Sequence, residues 1–152
     1  MRERSKLAKP IAGVLGRFSR CDSLSPNATI LIVEDEPLIR LALIDMFEAT
    51  GFVVLDAGDA FEAMALLDTH ADSIGIMLTD IRLGDGPDGW DVARYARSRL
   101  EDLPIVFVSG DSAGDWREAG INRSVMLAKP VADGDLLAAV RTGLEQSSRQ
   151  GD

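Results

Sequence analysis

The stretch Thr29-Ile30-Leu31-Ile32-Val33-Glu34-Asp35-Glu36-Pro37 decides the fold. Five β-branched or aliphatic residues in a row, with no polar alternation, read as a strand covered on both faces, as in a parallel sheet. Three acids follow at once. Glu36-Pro37 then opens a helix with proline in its first turn, running to about Thr50. A buried strand that ends in carboxylates and turns directly into a helix is the first unit of an α/β chain.

The same unit recurs downstream. Gly51 stops the first helix, and residues 53–55 form a second strand. Asp59 and Glu62 make a capping-box-like pair for a helix through about Asp68. Residues 74–79 are a third strand, followed by the loop Gly84-Asp85-Gly86-Pro87. A helix from Trp90 to about Leu100 places Val92, Ala93, Ala96 and Leu100 on one side, which makes Trp90 a packing residue. Pro104 precedes a fourth strand at 105–108, and a weakly marked helix covers 112–119. Residues 125–128 are the fifth strand. The closing helix, 133–144, turns Leu136, Leu137, Val140 and Leu144 inward. Five strand–helix alternations imply one parallel sheet with helices on both faces.

Composition supports a single domain. The 152 residues are 46% apolar and 27% charged, ordinary for a globular chain. The apolar runs fall far short of the ~20 residues a membrane span needs. One cysteine, Cys21, excludes an internal disulfide and four-cysteine zinc modules, and one histidine, His70, excludes clustered-imidazole sites. His70 reads as an exposed helix-end residue. A reducing cytoplasm is the expected location.

Charge is uneven. Residues 1–26 hold six of the 16 basic side chains and two of the 25 acids, a net of +4, which leaves residues 27–152 at −13. Such an acidic body opposes binding to phosphate backbones, so no direct DNA contact is expected. The basic segment 1–26 is expected to be a flexible extension, 27–145 the domain, and 146–152 a polar tail.

Ligands of open parallel sheets sit beyond the carboxyl ends of the strands. Here those ends carry Glu34-Asp35-Glu36, Asp80, Ser109-Gly110 and Lys129-Pro130. Two carboxylates ~4 Å apart repel by about 4 kcal/mol at an effective dielectric near 20. A hard divalent cation resolves that repulsion, and Mg²⁺, with Mn²⁺ as an alternative, suits a site with few carboxylates and several waters. Asp80 sits at the mouth of a buried strand. A carboxylate there is ionised at neutral pH and attacks phosphorus without a general base. Lys129 supplies a point charge and Ser109 a hydroxyl donor for the same anion.

In this order and at these strand ends, the motifs resemble the receiver domain of two-component response regulators. The matching pieces are Ile30-Leu31-Ile32-Val33-Glu34-Asp35-Glu36, Leu78-Thr79-Asp80, Val106-Phe107-Val108-Ser109-Gly110 and Lys129-Pro130, within roughly residues 28–145. The resemblance implies a flavodoxin-like sheet in strand order 2-1-3-4-5. It makes Asp80 the phosphoacceptor and Asp35 a direct Mg²⁺ ligand, with Asp80 and the backbone carbonyl of Arg82 completing the protein ligands and Glu34 acting through water. Ser109, with Gly110, becomes the switch position and Lys129 the phosphate-pairing lysine, and Lys129–Pro130 carries a cis peptide. The implied partners are a sensor histidine kinase or a histidine phosphotransfer protein and a downstream protein that reads the signal.

Two positions depart from the pattern. Receivers usually carry an aromatic residue three positions before the lysine, where this chain has Met126, and many have proline four residues after the acceptor, where it has Gly84. Met126 reads as a flexible gap-filler of the core. The leading expectation is a stand-alone receiver acting through protein contacts, with no enzymatic turnover beyond self-phosphorylation and slow self-dephosphorylation. A phosphate sink or relay for a kinase is the alternative. A Mg²⁺-dependent aspartyl phosphatase is the remote one, because such enzymes need a second acid two residues after the nucleophile and this chain has Arg82 there.

Overall fold

The computed structural model describes residues 28–110 and 120–150. The extension 1–26, the helix read over 112–119 and the last two residues lie outside them. The elements run β1 (Thr29–Val33), α1 (Pro37–Ala49), β2 (Val53–Ala57), α2 (Ala60–Thr69), β3 (Ile74–Asp80), α3 (Gly89–Arg99), β4 (Ile105–Ser109), β5 (Ser124–Ala128) and α4 (Asp133–Gln150). The strands form one parallel sheet in the order β2-β1-β3-β4-β5. This is the expected doubly wound, flavodoxin-like architecture.

The central position of β1 explains its unbroken apolar run. Alternate residues point to opposite faces of a strand. Leu31 and Val33 therefore join Met77 and Phe107 in a core beneath α2 and α3, while Ile30 and Ile32 join Ile76, Leu78 and Val106 in a second core with Phe47 of α1 and Leu136 and Val140 of α4. Trp90 is buried against Phe107, ring centroids 4.7 Å apart, as a packing residue. Met126 pairs with Phe107 across β4 and β5 and packs partly buried against the same core. His70 caps the end of α2, exposed.

Two helix ends differ from the pattern of apolar residues. The third helix begins at Gly89, because Asp88 and Asp91 form a reciprocal capping box there. The closing helix continues to Gln150, into the residues 146–152 read as a polar tail. Its apolar stripe ends near Leu144, but no proline or glycine stops the backbone before Gly151. Among the described residues no helix is long and apolar enough to cross a membrane.

Candidate functional site

The carboxyl ends of β1, β3, β4 and β5 lie side by side, and the register sets what they present. Asp80 pairs with Val108 and Ser109 with Ala128, so the last residues of β3, β4 and β5 lie on the same edge of the sheet. Carboxylate oxygens of Glu34, Asp35 and Asp80 all lie within 4.8 Å of one another. Asp80 is 8% exposed and Glu34 5%, whereas Asp35 is open to solvent.

Asp80 and Glu34 are held by their surroundings. Lys129 Nζ donates to Asp80 Oδ2 at 2.7 Å, and the Arg82 amide donates to Asp80 Oδ1 at 3.3 Å. The Thr79 hydroxyl donates to the Asp80 carbonyl at 2.8 Å. The Glu36 amide donates to Glu34 Oε2 at 3.0 Å. Ser109 is buried, and its carbonyl accepts the Lys129 amide at 2.9 Å, tying the ends of β4 and β5 together. Gly110 is exposed. The Lys129–Pro130 peptide is cis. Glu34, Asp35, Asp80, Arg82, Ser109, Gly110 and Lys129 are thus gathered at one edge.

Gly89 belongs to this site although nothing in its sequence position marks it beyond the Asp88–Asp91 capping spacing. Its amide donates to the Ile81 carbonyl at 2.7 Å, and a Cβ there would overlap the Asp80 carbonyl oxygen and lie 2.8 Å from Ile81 Cα. Those neighbours are backbone and cannot swing aside. Gly89→Ala is therefore expected to destabilise the fold by about 1–3 kcal/mol, the usual cost of overpacking, and to displace Asp80. Urea unfolding checks the first effect; wild-type stability in the variant would show that α3 does not clamp the end of β3.

The electrostatics favour a cation. Burial pushes the Glu34 carboxyl up to about 6, opposed by its hydrogen bond from the Glu36 amide and reinforced by the charge of Asp80. Burial alone would lower the Lys129 ammonium, but its hydrogen bond to Asp80 and the charges of Asp80, Glu34 and Asp35 hold it above its ordinary value. Among the described residues, the charges of all three carboxylates act on the Lys129 ammonium. An all-oxygen donor set with excess negative charge fits a hard divalent ion such as Mg²⁺.

A testable pH dependence follows. A carboxyl whose pKa is higher in the folded than in the unfolded chain stabilises the fold at low pH, and that contribution is lost as pH rises through about 6. Its size is at most about 2 kcal/mol, from 1.36 kcal/mol per pKa unit. Mg²⁺ competes with the proton, so added Mg²⁺ should raise the melting temperature more near pH 7 than near pH 5, roughly on either side of the Glu34 titration. An equal rise at both pH values would remove Glu34 from the cation's surroundings.

Comparison with known proteins agrees with this geometry. Residues 30–141 match the response regulator receiver domain family. The chain is 32% identical over 134 residues to the transcriptional regulatory protein PdtaR of Mycobacterium tuberculosis, covering 86% of this chain and 63% of that one. It is 28% identical over 101 residues to the sensor kinase CckA of Brucella abortus, covering 66% of this chain and 11% of the kinase. It therefore spans less than two thirds of either relative. A crystal structure of a response regulator receiver protein from Sinorhizobium medicae superposes with a TM-score of 0.75 at 34% identity, covering 80% of this chain and 97% of that one. The fold, the matched span and the acidic strand ends lead to one conclusion: this chain belongs to the response regulator receiver domains of two-component signalling systems.

Proposed function

We propose that the protein accepts a phosphoryl group on Asp80 from a histidine kinase or a histidine phosphotransfer protein and passes the signal on through protein contacts. The observation that carries this reading is the buried Asp80 carboxylate, within 4.8 Å of two further acids and 2.7 Å from Lys129. In the transfer, an Asp80 oxygen attacks phosphorus in line, the P–N bond of the donor breaks, and the imidazole keeps the electron pair. Asp35, Asp80 and the Arg82 carbonyl would hold Mg²⁺ (or Mn²⁺), with Glu34 acting through water. The ion, when bound, neutralises charge on the phosphoryl oxygens. Ser109 and Lys129 then pair with the transferred group.

A groove of about 690 Å³ beside the acceptor supports a protein partner. Leu38, Ile39, Val131 and Leu136 line it, next to Asp80 and Lys129, and Leu38 is 75% exposed. The net charge of −13 on residues 27–152 supports an output that does not run through direct DNA contact. A cytoplasmic location belongs to the same proposal. Similarity to the sensor kinase CckA favours one further reading, a phosphoryl sink or relay, marked by transfer from Asp80 back to a histidine.

The test is incubation with Mg²⁺ and a small acyl phosphate, followed by intact mass measurement. One phosphoryl adduct is expected; an unmodified chain overturns the reading. Lys129→Ala should still take up the group but respond poorly to it, because a charge-assisted contact to the bound anion is lost. Amide exchange around Ser109, with and without phosphorylation, reads this out. A full wild-type response in the variant would exclude that role.

A further inference from the structure

Arg40 has no part in the chemistry above, yet it holds the acidic loop from behind. It lies one turn into α1 and reaches back to the strand from which that helix springs. Its Nη1 donates to the Glu34 carbonyl at 2.7 Å, and its Nε lies 3.3 Å from Asp56 Oδ2 on β2. The Arg40 side chain is 23% exposed. The Glu34 amide meanwhile donates to the Ala57 carbonyl at 3.0 Å, extending the β1–β2 ladder by one rung. Glu34 is thereby gripped at its amide by β2, at its carboxylate by the Glu36 amide and at its carbonyl by Arg40.

The Glu34 carbonyl belongs to the planar peptide that leads into Asp35, and holding that plane fixes the Asp35 N–Cα bond from which the side chain departs. Space is kept for the guanidinium at this point. A Cβ at Gly58 would stand 3.1 Å from Arg40 Nη1. Arginine suits the task because its planar fork serves the carbonyl and the carboxylate together, which a lysine ammonium on a flexible stem does less well.

We infer that Arg40 is a positioning residue for divalent-cation binding, holding the Glu34–Asp35 peptide so that the Asp35 carboxylate converges with those of Glu34 and Asp80. The inference rests on the reading of those three acids as the cation site. Its sign is diagnostic. Through charge alone, a guanidinium beside a cation site repels the cation, so its removal would tighten binding. Through positioning, its removal weakens binding, as loss of groups that orient metal ligands generally does.

The experiment is calorimetric titration with Mg²⁺ of the wild type and of Arg40→Met, Arg40→Lys, Asp56→Asn and Asp35→Asn, each first checked for folding by circular dichroism. Arg40→Met should weaken Mg²⁺ binding about tenfold, at the low end of such effects. Arg40→Lys should recover part of the loss, and Asp56→Asn should show a smaller one. Wild-type or tighter affinity in folded Arg40→Met, while Asp35→Asn has lost binding, overturns the inference and leaves the site intact. If Arg40→Met does not fold, wild-type affinity in both Arg40→Lys and Asp56→Asn overturns it instead. Wild-type affinity in Asp35→Asn overturns the cation site itself, and the inference with it.

Discussion

Asp80→Asn is expected to abolish phosphoryl uptake completely while leaving the fold intact. The substitution is nearly isosteric, but a neutral amide oxygen is no nucleophile at neutral pH. Neither of the two acids described beside it replaces it: Asp35 is open to solvent in a loop, and the buried Glu34 carboxylate accepts the Glu36 amide. Stability should change little, because two opposing terms cancel in part. The variant loses the charge pair with Lys129, 2.7 Å away, and gains relief from repulsion among three acids within 4.8 Å. Each is on the order of a few kcal/mol at an effective dielectric near 20. Intact mass after incubation with an acyl phosphate reads the first outcome and thermal melting the second. An adduct that persists in the variant would sink Asp80 as the acceptor.

Asp35→Asn should cost at least about 10–100-fold in Mg²⁺ affinity, the range found even for groups that only orient a metal's ligands. Asp35 is the most accessible of the three acids, so its carboxylate is free to meet the ion without burying further charge. Glu34→Gln should cost less, since Glu34 is proposed to reach the ion only through water and its carboxylate already accepts the Glu36 amide. Tryptophan fluorescence is a fitting probe, because Trp90 adjoins Gly89, which packs against the Asp80 and Ile81 backbone. Equal affinities for the wild type and Asp35→Asn would take Asp35 out of the metal site.

Both predictions rest on residues that are legible in the sequence, and the reason is local. An uninterrupted apolar run at 29–33 means a strand covered on both faces, and burial of all but its first residue bears this out. Because ligands of parallel sheets collect at the carboxyl ends, the identities of Glu34, Asp35, Asp80, Ser109 and Lys129 pointed to a site as soon as the strands were placed. Element ends were less legible. The apolar stripe that marks a helix stops at Leu144, whereas the backbone runs on to Gln150, since backbone hydrogen bonding does not require an apolar face.

By itself, then, the sequence determined the α/β class, the order of elements and which side chains stand at the strand ends, all of which follow from local periodicity and turn chemistry. Only the tertiary structure decided which groups touch. Lys129 meets Asp80 across 49 residues of chain, and it does so because β3, β4 and β5 are stacked in a particular register. Arg40 finds Asp56 because β2 lies beside β1. Gly89 is required because α3 starts against the backbone that follows β3. Contacts of this kind depend on how distant elements pack, and no periodicity within one element encodes that.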